Sequence, residues 1–175
     1  MDNTSRLLDA ALFAAQRHRD QRRKDAEATP YINHPLSVPR LLAVEGAVTD
    51  VDVLMAALLH DTIEDTETTA DELRERFGER VASIVLEVTD DKSLPKSRRK
   101  ELQIEHAHQK TAEGALVKIA DKTCNLRDVA NSPPAGWPIE RRQEYFNWAM
   151  AVVEHLPAVP QQLSDEFSAA YALKP

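Results

Sequence analysis

A run of apolar residues ends abruptly in ionisable side chains in the segment M-A-A-L-L-H-D-T-I-E-D-T, positions 55–66. On a continuous helix, Glu64 would share a face with His60 and Asp61, and Asp65 would share a face with Asp61. Three carboxylates on one face repel one another unless a positive charge lies among them. A divalent cation held by imidazole and carboxylate is the simplest such charge. The alternative is an exposed acidic helix end that stops at His60, and this short motif alone does not separate the two.

Two residues elsewhere in the chain can complete a metal site. His34 ends the loop T-P-Y-I-N, and Asp121 lies in a segment with helical periodicity. Each alone is typical of an ordinary residue, a packing histidine in the first case and a solvated acid in the second. Together with His60 and Asp61 they offer two imidazoles and two carboxylates, which suit Mn²⁺, Fe²⁺ or Zn²⁺ better than Mg²⁺ or Ca²⁺. Because no cysteine belongs to the set, a structural zinc site is disfavoured.

Such a site with open positions binds a water and a phosphate oxygen together. A metal there lowers the pKa of the water and polarises the phosphorus. Glu64 and Asp65, one turn beyond the ligands, are then placed to orient or deprotonate that water. Asn125, one turn after Asp121, carries an amide that can hold a ribose hydroxyl or a phosphate oxygen, although alone it is typical of a surface amide. These residues indicate metal-dependent phosphoester hydrolysis.

Two basic clusters stand out in a chain whose net charge is −7. The first comprises Arg17, Arg19, Arg22, Arg23 and Lys24, and the second comprises Lys92, Lys96, Arg98, Arg99 and Lys100. Charge runs are usually solvated faces. A pocket for a substrate with several phosphates nevertheless requires such cations, and arginine can also stack on a base. Tyr31, Tyr145 and Trp148 are aromatic candidates for the same pocket, although each alone is typical of a core or an interface.

Composition predicts one all-α domain over residues 1–175, with its core at about 4–156. The chain has 42% hydrophobic and 29% charged residues, which is typical of a soluble globular protein. Four glycines and the lack of long polar–apolar alternation favour helices over sheet. The acidic charge argues against nucleic-acid binding, and no apolar run approaches the roughly 18 residues of a membrane span. The position of the single cysteine, Cys124, within a predicted helix favours a buried structural thiol. Because the N-terminus lacks a signal-peptide core, we expect a cytoplasmic protein.

Helical periodicity and capping signals predict about eight to ten helices joined by short loops. Thr49 with Asp52, and Thr69 with Glu72, resemble capping boxes. Gly46 and Gly78 mark helix ends, and Pro39 fits the second helix only if it falls within the first turn. The predicted helices span about 4–19, 35–45, 49–60, 69–78, 81–88, 97–110, 113–130, 139–156 and 161–173.

A series of collinear segments over about 11–154 resembles one known family. These segments are Q-R-R-K-D, T-P-Y-I-N-H-P, A-A-L-L-H-D-T-I-E-D-T, F-G-E-R-V, V-T-D-D-K-S-L-P-K, K-I-A-D-K-T-C-N-L-R-D and G-W-P…R-R-Q-E-Y-F-N-W-A. The H…H-D…D pattern is similar to that of the HD superfamily of metal-dependent phosphohydrolases. The longer segments resemble the small alarmone hydrolases, stand-alone relatives of the hydrolase half of the RelA/SpoT enzymes, and especially their metazoan SpoT-homologue (Mesh) type.

The resemblance implies a single HD-domain helical bundle with one Mn²⁺ ion, Fe²⁺ and Zn²⁺ being the alternatives. It implies hydrolysis of the 3′-pyrophosphate of (p)ppGpp to GDP or GTP and pyrophosphate. The roles it implies are metal binding by His34, His60, Asp61 and Asp121, water handling by Glu64 and Asp65, and substrate binding by Arg23, Lys24, Asn125, Arg141 and Tyr145.

Two other functions stay open at this point. One is removal of the 2′-phosphate of NADPH or of a related nucleotide, and the other is a nucleotide-binding sensor without catalysis. Thr123 and Cys124 stand where family members carry Leu followed by Tyr or His, so we expect the local nucleotide contact to differ. The chain has no room for a synthetase domain, and hydrolysis without synthesis is expected. The sequence does not give the oligomeric state.

Overall fold

The computed structural model describes residues 2–175, and within that range no β-strand forms, which confirms the all-α prediction. A π-helical turn, Leu41–Glu45, follows the second helix, and a 3₁₀ turn, Ala107–Gln109, follows the seventh. The α-helices are α1 Asn3–Arg17, α2 Asn33–Arg40, α3 Val51–Leu59, α4 Thr62–Asp65, α5 Ala70–Phe77, α6 Glu79–Val88, α7 Lys96–Glu105, α8 Ala112–Asn131, α9 Ile139–Val153 and α10 Gln161–Tyr171. None of these helices combines the length and apolarity that a membrane crossing requires.

Helices α3 and α8 form the centre of the core. Residues 53–59 of α3 are all buried, as expected for a helix that is apolar on every side. This helix packs against α1, α2, α6 and α8, and α8 in turn packs against α2, α6, α9 and α10. The last helix also adds buried side chains, Leu163, Phe167 and Ala170. Residues on α8 and at the end of α3 are therefore held by packing from several directions.

The N-terminus of α3 is capped by Asp50, whose carboxylate accepts a hydrogen bond from Asp52 N at 3.0 Å. The prediction that Thr49 caps this helix was therefore wrong by one residue. Asp50 gains a second partner there, because Arg80 Nη2 lies 2.6 Å from its Oδ2. The cap at Thr69 is confirmed, since its side chain accepts from Glu72 N at 3.2 Å.

Two residues of the second helical segment depart from expectation. Pro39 lies in the interior of α2 rather than in its first turn, and the π-helical turn begins two residues later. The helical segment does end at Gly46, but with φ −88° and not in the left-handed region. A Cβ at this position would lie 2.6 Å from Leu163 Cδ2 and 2.8 Å from Leu42 O. This glycine therefore permits the close approach of α10.

The central helix breaks where the ionisable residues begin. It ends at Leu59, Asp61 has φ −97° and ψ −3°, and the separate short helix α4 carries Glu64 and Asp65. The turn is retained across the break because Asp65 N donates to Asp61 O at 2.8 Å. His60 and Asp61 thus lie at a junction between two helices, where their side chains can turn towards α2 and α8.

Candidate active site

Three buried residues from three segments of the chain converge at one point. His34 comes from α2, His60 follows α3 and Asp121 lies within α8. One ligand-type atom of each lies within 4.8 Å of the other two. The residues are 3%, 5% and 8% exposed, respectively. The packing of α2, α3 and α8 therefore brings together three of the four residues that the sequence predicted as metal ligands.

The imidazole of His60 is oriented by its own helix. Its Nδ1 lies 2.8 Å from Ala57 O, and because a carbonyl oxygen only accepts, Nδ1 must carry the proton. Nε2 then faces the cluster, 3.1 Å from Asp61 Oδ2 and 3.8 Å from Asp121 Oδ1, where a bound metal would take the place of a proton on this nitrogen. Within residues 2–175 this buried Nε2 has no hydrogen-bond partner. An oriented, unpartnered imidazole nitrogen is what a metal ligand requires.

Asp61 lies at the edge of the cluster. Its Oδ2 is 4.0 Å from His34 Nε2, and it also accepts a hydrogen bond from the Tyr31 hydroxyl. Burial, followed by the negative charge of Asp61, raises the pKa of Tyr31. The phenol therefore stays protonated and continues to donate, which holds Asp61 towards the cluster.

The charges of the cluster favour a bound cation. Burial alone would lower the pKa of His60, but Asp61 and Asp121 outweigh it and raise the pKa to about 9. Burial would raise the pKa of both carboxyls, but the neighbouring histidines, and Lys122 beside Asp121, hold the two pKa values low. Both aspartates are therefore ionised, and the site attracts positive charge.

The donor set fits a divalent metal. His34 Nε2 lies 3.2 Å from Asp121 Oδ1, so the two nitrogens and two carboxylates surround a small volume. Asp121 is itself oriented, because Asn125 Nδ2 donates to Oδ1 at 2.5 Å and Lys122 Nζ to Oδ2 at 3.1 Å. Such supporting partners are typical of metal ligands. The mixed nitrogen and oxygen set is common to manganese, iron and zinc sites.

Glu64 is held on the side of the cluster that faces α7. Its Oε2 accepts from Asp90 N at 3.2 Å, and its Oε1 accepts from Arg99 Nη1 at 3.3 Å. Burial raises the pKa of Glu64, and the charges of Asp90 and Asp61 raise it further. A carboxyl whose pKa is raised in this way can exchange a proton closer to neutral pH.

Asp65 is held on the other side, where the chain leaves α1. One of its oxygens accepts from Gln21 Nε2 at 3.0 Å, and the other from Lys92 Nζ. Asp65 also borders a cavity that reaches the buried cluster, whereas Glu64 lies outside that lining. The two acids therefore have different surroundings although they are adjacent in sequence.

A cavity of about 520 Å³ opens onto the cluster. Its walls come from the segment between α1 and α2, from α2 and α8, from the start of α7, and from the loop before α9 and the middle of α9. The residues that line it include His34, Asp65, Arg23, Lys24, Tyr31, Lys96, Asn125, Trp137 and Tyr145. Four of the five predicted substrate-binding residues therefore border one cavity together with a candidate metal ligand.

The wall of the cavity near α7 is positively charged. Burial lowers the pKa of Lys96, and so do the nearby charges of Lys24, Arg141 and Arg99. The pKa of Lys100 is lowered by burial and then by Lys96 and Lys122. Cations that depress one another's pKa are not balanced by the protein, so an anionic ligand would relieve their repulsion.

Two residues predicted for the pocket lie outside its lining. The guanidinium of Arg141 stacks over Trp137, 4.4 Å from the ring centroid, so Arg141 reaches the cavity through that ring and through its charge. The Trp148 ring instead receives Lys122 Nζ at 4.4 Å and Lys100 Nζ at 4.7 Å, and its Nε1 donates to Lys100 O. The hypothesis that Trp148 lines the pocket was wrong, and Trp137 occupies that place.

Other lining residues were not singled out from the sequence. Trp137, Gln21 and Asp128 all border the cavity. The sequence signal for Trp137 is its position in the proline-rich loop before α9. A large aromatic residue in a loop, away from the helical core, indicates a role other than core packing. Cys124 is buried, as predicted, and burial raises its pKa to about 12.

Comparison with known proteins agrees with this geometry. The model of the HD domain family matches residues 10–149. A MESH1 guanosine-3′,5′-bis(diphosphate) 3′-pyrophosphohydrolase of Xenopus tropicalis is 58% identical over 150 residues, covering 86% of this chain and 84% of that relative. The MESH1 protein of Homo sapiens is 55% identical over 161 residues, covering 92% and 90%.

A solved structure shows the same fold. It is that of a metazoan orthologue of SpoT described as hydrolysing ppGpp, with a TM-score of 0.92 and 45% identity, covering 95% of this chain and 94% of that one. Family match, identity and fold cover nearly the same residues. The chain therefore belongs to the HD domain family of hydrolases and, within it, to the group of MESH1 proteins.

Proposed function

We propose that this protein is a metal-dependent phosphohydrolase that removes the 3′-pyrophosphate of (p)ppGpp, giving GDP or GTP and pyrophosphate. The observation that carries the proposal is the single cavity that joins the histidine–carboxylate cluster to a positively charged wall. A hydrolytic centre and a phosphate-binding surface thus share one space. The activity named for the MESH1 relatives, which match over most of their length, requires this combination.

The cavity suits a guanosine nucleotide in size and in chemistry. Its volume of about 520 Å³ lies within the usual range of small-molecule sites. Trp137 and Tyr145, whose ring centroids lie 5.8 Å apart, offer aromatic surface for a base or a ribose. Lys24 and Lys96 supply charge for phosphates, and Arg23 stacks near Tyr31 at 5.7 Å while pairing with Asp128. A nucleotide with phosphates on both sides of the ribose can use both ends of this lining.

His34, His60, Asp61 and Asp121 would hold the metal. We propose Mn²⁺ because the resemblance to the alarmone hydrolases implies it, and the mixed nitrogen and oxygen donor set is compatible with that ion. When bound, the metal would supply a Lewis acid that polarises the phosphorus and lowers the pKa of water. Glu64, whose pKa is raised, would take the proton of the attacking water, and Asp65 would orient that water. Asn125 would hold the ribose near its 3′ oxygen, which leaves as the phosphorus–oxygen bond breaks.

The direct test is incubation of the purified protein with Mn²⁺ and ppGpp, with GDP and pyrophosphate measured separately. We expect equimolar release of both. Glu64→Gln and Asp65→Asn should retain the metal but lose about 10²-fold or more in kcat, as is usual for a lost general base. If wild type and both variants bind the nucleotide and are equally inactive, the protein is a sensor and the proposed hydrolysis is wrong.

A second candidate function is removal of the 2′-phosphate of NADPH. It is favoured by the lining itself, which offers cations and ring faces that any purine nucleotide with a phosphorylated ribose can use. Phosphate release from NADPH and pyrophosphate release from ppGpp should be compared at matched enzyme and metal concentrations. A higher kcat/KM for NADPH would reverse the order of the two candidates.

A further inference from the structure

A series of hydrogen bonds supports Asp65 from the C-terminal end of α1. Gln21 Nε2 donates to Asp65 Oδ2 at 3.0 Å, and Gln21 Oε1 lies 2.7 Å from Nδ1 of His18. His18 is 1% exposed, and its backbone N–H ends α1 by bonding to Ala14 O at 3.0 Å. A buried histidine, an amide and a candidate catalytic acid are thus connected in series.

The directions of these hydrogen bonds follow from the chemistry of the groups. The two oxygens of Asp65 accept hydrogen bonds, one of them from Lys92, so the atom of Gln21 that faces the carboxylate must be the amide nitrogen. The amide oxygen of Gln21 then faces His18, and an oxygen only accepts from Nδ1. His18 must therefore carry a proton on Nδ1. A flipped amide would place two acceptors together at Asp65 and two donors together at His18.

The ring of His18 has little freedom to change this arrangement. Its centroid lies 5.0 Å from that of Tyr31, which itself donates to Asp61. Among the described residues, the buried Nε2 of His18 has no hydrogen-bond partner. A proton on Nε2 in place of Nδ1 would bury an unpaired donor and leave two acceptors facing each other, and both changes are unfavourable in a buried site. Packing thus selects one tautomer, and that tautomer selects one orientation of Gln21.

We propose that Gln21 and His18 are positioning residues for Asp65: Gln21 holds the carboxylate and His18 fixes the orientation of the Gln21 amide. The inference rests on the proposed function, because it takes Asp65 to handle the water. The other oxygen of Asp65 is held by Lys92, which is exposed and lies on a loop. The buried hydrogen bonds from His18 through Gln21 to Asp65 therefore fix the position of the Asp65 carboxylate.

The first test is Gln21→Leu, with Gln162→Leu as the matched control on the exposed face of α10. For the Gln21 variant we expect a 10- to 100-fold fall in kcat for ppGpp, the usual effect of losing a supporting partner. KM and metal content should stay as in wild type, and the control should match wild type throughout. Because Gln21 also borders the cavity, a rise in KM with unchanged kcat would show a substrate contact and overturn the proposal.

His18 is tested by two variants that differ in one donor. Asparagine places an amide nitrogen where histidine has Nδ1, whereas leucine has no donor. We expect His18→Asn to keep most of kcat and His18→Leu to fall as far as Gln21→Leu. Adding His18→Leu to Gln21→Leu should cost nothing further, because His18 acts through Gln21. Additive losses, with the folded fraction matched by thermal denaturation, would show a merely structural role for His18.

The tautomer can be read without turnover. Spectra of the full chain with ¹⁵N-labelled histidine should show the His18 proton on Nδ1, and this signal should weaken in Gln21→Leu. A proton on Nε2 would overturn the proposal whatever the activity. If wild type leaves ppGpp intact while the Nδ1 proton is present and sensitive to Gln21, the proposed function fails and the His18–Gln21 arrangement stands.

Discussion

The two sides of the cavity are built in different ways. The metal-ligand side comes from α2, α3 and α8, where His34, His60 and Asp121 are buried and each lies in a packed segment. The cationic side comes largely from α7 and from loops, and α7 contributes no buried residue. Charges on the first side are matched by neighbours within about 4 Å, as His60 is by Asp61 and Asp121. Charges on the second side depress one another's pKa instead.

Because of this difference, we expect the two sides of the cavity to have different roles. Packing from several helices fixes the distances among the candidate ligands, and fixed geometry is what a reaction centre requires. Lys96 and Lys100 lie on the surface helix α7 and form no ion pair with the carboxylates of the described residues, so a bound phosphate would supply the missing negative charge. We therefore expect changes on the ligand side to alter metal content and kcat, and changes on the cationic side to alter KM.

The largest effect is expected from His60→Ala. It removes one of two imidazoles from the ligand set, and its position at a helix junction means that the helices should persist. Metal analysis should show little or no bound metal, and kcat/KM should fall by more than about 100-fold, beyond the usual effect of a supporting residue. Circular dichroism should stay near that of wild type. A variant that holds a full equivalent of metal would contradict the ligand assignment and the comparison built on it.

A smaller effect is expected from Lys96→Met on the cationic side. Removing one unbalanced cation should raise KM for ppGpp about 10-fold, with kcat and metal content nearly unchanged, because a lost charge-assisted contact is typically worth 1.5–3 kcal/mol at most. Raising the salt concentration should weaken wild type more than the variant.

The matched control for Lys96 is Arg98→Met. Arg98 lies on the same helix but pairs with Glu101 and Glu105, away from the cavity. Its kinetics should equal those of wild type. If Lys96→Met lowered kcat and left KM unchanged, the two sides of the cavity would not divide the work as proposed.

The extent to which the sequence predicts the site follows the same division. The ligand side is encoded by local patterns, since the apolar run of α3 must be buried and its end carries His60 and Asp61. The cationic side depends on how the loop before α9 packs against the segment between α1 and α2, where Ala135 N donates to Lys24 O at 2.7 Å, a long-range contact that helical periodicity does not contain. Trp137, and not Trp148, borders the cavity for that reason, and Arg141 stacks on the Trp137 ring.

Local geometry was also missed where tertiary contacts decide it. The predicted helix 49–60 ends within one residue of α3, but the spacing did not show the separate short helix α4 that carries Glu64 and Asp65. Gly46 was predicted as a helix end from its residue type, whereas its glycine is required by the approach of Leu163. Asp50 caps α3 in place of Thr49 because Arg80 supports its carboxylate. Each correction involves a partner distant in sequence.

Burial of a charged group near the ligand side also lowers the stability of the folded protein. The titration of Lys118, on α8, gives the size of this effect. Its ammonium is buried, donates to Val88 O at 3.0 Å, and has its pKa lowered to about 8, first by burial and then by Lys122. The unfolded chain, with the ordinary pKa of 10.5, binds more protons between pH 8 and 10.5, so this group makes stability rise with pH over that interval.

Lys118→Met cannot titrate and should lack that slope. Between pH 7.5 and 10.5 the free energy of unfolding of wild type should gain roughly 2 kcal/mol relative to the variant, as followed by denaturant titration at each pH. Lys174→Met, at the end of the chain, controls for the loss of a lysine as such. If the free energies of unfolding of wild type and Lys118→Met changed in parallel with pH, burial of the Lys118 ammonium would not destabilise the folded protein.

The smallest effect, and the simplest to measure, concerns Cys124. It lies on α8, 5% exposed, and burial followed by the charge of Asp121 raises its pKa to about 12. Since the thiolate is the nucleophile, only about one molecule in 10⁴ carries it at pH 8. Iodoacetamide at pH 8 should therefore add no mass to the folded protein and leave its activity unchanged, whereas in guanidinium it should add one equivalent. Rapid alkylation of the folded protein would mean that α8 opens to solvent, and the ligand side could not then be the fixed side of the cavity.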